Sequence, residues 1–80
     1  MKTLAKNGEY TLIYDPKRVN RYMVYRTYPT SPSGDVKINQ MVGQSSVFTK
    51  TLKSYFTRQQ IDIAIAKVHA MKYVNYKFKA

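Results

Sequence analysis

The chain has 80 residues, with fourteen Lys and Arg against four Asp and Glu and a formal net charge of +10. That length allows one domain, residues 1–80, with a small core, because a domain this short buries only about 60% of the surface its unfolded chain exposes. The absence of cysteine excludes a disulfide scaffold, a thiol nucleophile and Cys-ligated zinc, and it suits a reducing, cytoplasmic setting.

Residues 9–15 place Tyr10, Leu12 and Tyr14 on one side of a two-residue period, with Thr11 and Ile13 on the other. This predicts a first strand. Asp15-Pro16 opens a turn, because proline fixes its own φ and turns the preceding residue away from the helical region. Residues 21–28 alternate again, Tyr22, Val24, Arg26 and Tyr28 against Arg21, Met23, Tyr25 and Thr27. They predict a second, antiparallel strand. Pro29, Pro32 and Gly34 interrupt the chain, and residues 35–42 then alternate Val36, Ile38, Gln40 and Val42 with Lys37, Asn39 and Met41 up to Gly43. The expectation is a three-stranded antiparallel β-meander.

The period changes in the second half. Phe48, Leu52 and Tyr55 share one side of a helical wheel, so residues 46–55 fit a short helix, although Val47, Phe48, Thr49 and Thr51 are weak helix formers. Thr57 and Gln60 have the spacing of a capping box, and Phe56 and Ile61 that of a hydrophobic staple. A helix over 57–72 follows, with Ile61, Ala64, Ile65, Val68 and Met71 as an apolar stripe. Residues 73–79 suit a continued helix or an edge strand equally. The fold class expected is α+β, a sheet covered by a C-terminal helix.

No residue set points to a reaction. Glu9, Asp15, Asp35, Asp62 and His69 are the acids and the one histidine. Asp15 and Asp35 stand where turns use Asp, and Asp62 and His69 are about 10 Å apart along a helix. Neither acid–base catalysis nor a metal site is expected, and no cofactor is implied, since the three glycines are isolated. The opening Met1-Lys2-Thr3-Leu4-Ala5-Lys6 lacks the apolar stretch of an export signal. The longest apolar runs, such as Ile63-Ala64-Ile65-Ala66, are four residues. No membrane partner is expected.

What remains is charge and tyrosine. Eight Tyr stand against three Phe and no Trp. Tyr22, Tyr25 and Tyr28 lie among Lys17, Arg18, Arg21 and Arg26, a mixture that can stack bases and neutralise phosphates. Tyrosine is also a favoured strand residue that covers half-exposed sheet faces with its hydroxyl in water. If residues 46–72 formed a helix-turn-helix, Arg58 and Gln59 would stand on the first turn of the reading helix, with Lys50 and Lys53 as phosphate contacts. The same residues equally fill the start of any capped helix. The expected function is therefore non-catalytic binding of DNA or RNA, mostly through phosphates. The alternative is a small regulator or inhibitor, of the kind phages and mobile elements encode, that docks on an acidic or nucleic-acid-handling protein surface. A small core and a tyrosine-rich sheet edge also suit a homodimer.

Overall fold

The computed structural model describes residues 1–78, with side chains described through Met71. Four antiparallel strands, β1 (Lys2–Asn7), β2 (Tyr10–Tyr14), β3 (Tyr22–Pro29) and β4 (Lys37–Ser45), lie side by side in chain order. A short helix α1 (Lys50–Lys53) and a long helix α2 (Arg58–Phe78) follow. The fold is α+β, as expected, with one strand more than the three predicted.

The additional strand is β1. Its register against β2 shifts between Thr3 and Ala5, so that Leu4 and Ala5, neighbours in sequence, both reach the core. A two-residue turn, Gly8-Glu9, returns the chain to β2, with Gly8 at φ +59°, a conformation that glycine adopts without a Cβ clash.

Register decides the faces of the sheet. Tyr14 pairs with Tyr22, Leu12 with Val24 and Tyr10 with Arg26, all pointing to the helical side. Leu12 and Val24 are fully buried there with Leu4, Leu52, Ala64 and Val68. Each of the Leu and Val side chains contributes about 1.5–3 kcal/mol when removed from water. Ile13, Met23, Thr11 and Tyr25 occupy the opposite face, where Met23 is fully buried with the Tyr25 hydroxyl 4.0 Å from its sulfur.

The third predicted strand does not stop at Gly43. β4 continues to Ser45 because a register shift, with Val24 opposite Gly43 and Tyr25 opposite Met41, admits one extra residue, Val42. Glycine inside the strand has a packing reason: a Cβ on Gly43 would stand 2.7 Å from Leu52 Cδ2. The bare backbone lets α1 lie directly on the sheet. Beyond Arg26, β3 and β4 leave β2 behind and run on as a two-stranded ribbon, closed at its far end by residues 30–36.

α1 is shorter than the 46–55 expected. Thr49 caps it, its Oγ1 accepting from Leu52 N at 3.3 Å. The segment around it covers β2, β3 and β4: Phe48 stacks on Tyr22, Leu52 meets Gly43, and Tyr55 lies against Tyr10. The α2 capping box forms as read, with Thr57 N donating to Gln60 Oε1 at 3.0 Å and Gln60 N to Thr57 Oγ1 at 3.2 Å. Of the apolar stripe, Ala64 and Val68 are buried and Ile61 and Met71 pack beside them, while Ile65 stays 37% exposed. The helix packs on β1, the edge of the sheet, so its apolar stripe is narrower than a helix lying centrally on a sheet would need. Gln60 Nε2 and Lys67 Nζ donate to the β1 carbonyls of Lys6 and Leu4. They seal that edge with side-chain donors. Of residues 73–79, the backbone through Phe78 is helical, which decides against an edge strand there, and residue 79 lies outside the described residues. No described helix is long and apolar enough to cross a membrane.

Candidate nucleic-acid interface

One row of the sheet organises the site. Lys2, Tyr14, Tyr22 and Ser45 lie side by side at one end of the four strands. The chain between Tyr14 and Tyr22 loops out beyond that row, which places Lys17, Arg18 and Arg21 at the same end, all exposed. The loop is closed at its base. Asp15 N donates to Arg21 O at 2.8 Å, Arg18 N to Asp15 O at 3.3 Å, and Lys17 N to Asp15 Oδ1 at 3.1 Å. The Asp15 carboxylate is engaged by the backbone, in the turn role its position before Pro16 suggests.

From Ser45 the chain passes directly to Phe48, whose ring is nearly parallel to Tyr22 (5.5 Å, 8°). Tyr14 meets Tyr22 at 5.0 Å and 57°. Lys53 Nζ stands 5.5 Å from the Phe48 ring centroid, and Lys50 is exposed on the first turn of α1. Burial raises the Tyr22 pKa above 10.0, with Tyr14 adding to the rise and the Arg21 charge opposing it. Tyr22 therefore stays neutral between the basic loop and the core.

The other expected residues are elsewhere. Arg26 lies four rows away and pairs with Glu9 at 2.8 Å, its guanidinium 4.6 Å above the Tyr28 ring, and Glu9 raises its pKa further. Tyr28 lies on the β3–β4 ribbon and donates to Gln40 Oε1 at 3.4 Å. Tyr25 is on the face opposite the Tyr14–Tyr22 row, its hydroxyl 4.0 Å from Met23 Sδ. Arg58 and Gln59 open α2, close to Lys6 at the opposite end of β1, and Arg58 stands 3.9 Å from Asp62. The structure thus brings together Lys17, Arg18, Arg21 and Tyr22, links Lys53 to them only through Phe48, with Lys50 on the same short helix, and separates them from Arg26, Tyr25, Tyr28, Arg58 and Gln59.

Two residues join the site that the reading of the chain had not assigned to it, Lys2 and Phe48. Lys2 enters through β1 pairing, and Phe48 was read only as part of a core stripe. The acids are distributed unevenly. Among the described residues the ion pairs are Glu9–Arg26 and Arg58–Asp62, both away from the loop. Asp35 lies at the far end of the ribbon. No three His, Cys, Asp or Glu side chains come together among the described residues. No protein-family model, curated protein or solved structure matches the chain.

Proposed function

We propose that this chain is a non-catalytic nucleic-acid-binding protein that grips phosphates with the end of the sheet bearing Lys17, Arg18 and Arg21. One observation carries the reading: these three cations sit on a hydrogen-bonded loop whose only acid, Asp15, is turned into the loop itself. Lys2, Lys50 and Lys53 extend the positive field along the neighbouring strand end and α1. A field of one sign at one end of a molecule draws a polyanion toward that end and orients it. Arg18 and Arg21 can each take a phosphate with a planar fork of donors, whereas Lys17 acts as a point charge.

The test is binding of a fluorescent oligonucleotide as salt is raised from about 50 mM. Three phosphate contacts give a log–log slope near −2.7 on duplex or about −2.1 on single strands. Arg18→Ala and Arg21→Ala should each reduce that slope by about one phosphate and weaken all sequences alike. Arg58→Ala, at the far end, should change it little. No binding to any oligonucleotide at about 50 mM salt overturns the proposal. Recovery of a nuclease-resistant acidic protein on the same loop would then transfer the surface to a protein partner.

A further inference from the structure

We infer that the nucleic acid held at the loop end is double-stranded and is bound through its phosphate backbone, without stacking of bases on the protein; this rests on the function proposed above. Proteins that hold single strands without sequence preference combine a basic track with free aromatic faces, each stacked base strengthening binding roughly 5- to 150-fold. Here the rings near the cations are already used. Tyr14 is 3% exposed. The Tyr22 ring is stacked against Phe48 and also meets Tyr14, and the Phe48 ring has Lys53 beside it as well. Tyr14 is buried, and Tyr22 and Phe48, both half-buried, each have one face taken by the other.

The same holds further away. Tyr10 packs on Tyr55 at 4.8 Å, and the Arg26 guanidinium covers Tyr28. Among the tyrosines with described side chains, Tyr25 alone has neither a described ring nor a described cation against it. It points to the face of the sheet opposite the Tyr14–Tyr22 row and lies well along the strand from it. A strand gripped by Lys17, Arg18 and Arg21 would have to turn around the sheet edge to reach it.

The cations, by contrast, suit a rigid polyanion. The closed 15–21 loop fixes the backbone positions from which its three cations extend, and a duplex presents phosphates at fixed spacing with one charge per about 1.7 Å of axis. Each phosphate neutralised on duplex also contributes more counterion release than one on a single strand, about 0.9 against about 0.7. With stacking removed, charge density decides, and it favours the duplex.

The experiment compares a mixed-sequence DNA duplex of about 20 base pairs, the RNA duplex of the same sequence, and each DNA strand alone, by fluorescence anisotropy at equal salt. One of the duplexes should bind at least about tenfold tighter than either strand, and Tyr25→Ala should leave every affinity within about twofold. Which duplex is preferred separates DNA from RNA as the source. Tighter binding of a single strand, or a loss of more than about tenfold in Tyr25→Ala, overturns the inference while the proposed function stands. Absence of binding to all four oligonucleotides overturns both.

Discussion

Tyr22 connects the basic loop to the core, and its ionisation gives the link a measurable sign. Burial raises its pKa in the folded state above 10.0. The unfolded chain therefore releases this proton first as pH rises. The stability tied to neutral Tyr22 is fully present below about pH 10 and is lost as pH climbs through the raised folded value. In Tyr22→Phe that loss disappears, while the stack on Phe48 is kept. Melting temperatures of the two proteins between about pH 8.5 and pH 11 should therefore converge or cross, the tyrosine form falling more steeply. Parallel curves would show that the Tyr22 hydroxyl has the same environment in both states. Residue-level chemistry also explains what could be read at the site beforehand. The loop cations were legible because Asp15-Pro16 marks a turn and turns are exposed. The neutralisation of Arg26 was not, since its partner Glu9 is 17 positions away and meets it only through the β2–β3 register.

Among the elements, legibility followed local signals. The α2 start was readable because Thr57, Gln60, Phe56 and Ile61 act within one turn. β1 was not, because its bulge sends adjacent Leu4 and Ala5 to the same side and erases the alternation by which strands are found. β4 was cut short for a related reason: Gly43 reads as a strand breaker, yet it serves the contact between the sheet and α1. That contact can be tested. Gly43→Ala should cost about 1–3 kcal/mol, since the new Cβ must displace the buried Leu52 side chain. Leu52→Ala alone should cost about 2–5 kcal/mol by opening a cavity. The double substitution should be more stable than the sum of the two losses, by roughly 0.5–3 kcal/mol, because truncating Leu52 removes the atom that the methyl added at position 43 would strike. Urea denaturation of the four proteins measures the coupling, and strict additivity would mean that Leu52 does not limit the space over Gly43.

At the scale of the molecule, the same charges that would bind a polyanion oppose each other in its absence. The net charge of +10 is carried on a body with extents of 53 × 24 × 18 Å. The Debye length is about 30 Å at 0.01 M salt and about 8 Å at 0.15 M, so repulsion across the whole body at low salt shrinks to repulsion among neighbours as salt rises. The free protein should therefore melt at a higher temperature in about 0.15 M than in about 0.01 M sodium chloride. Arg18→Gln, which removes one of three adjacent cations, should recover part of that difference at low salt. Bound duplex acts in the opposite sense. At one hundred times its dissociation constant it adds about 2.7 kcal/mol, which for a domain of this size raises the melting temperature by on the order of 10–20 °C. Because binding weakens with salt while the free protein gains, the bound and free melting curves should converge as salt increases at fixed duplex concentration. A gap that stays constant would mean that the stabilisation does not come from phosphate contacts. A free protein indifferent to salt would mean that its cations lie too far apart, or too well paired, to form the field on which the proposed function depends.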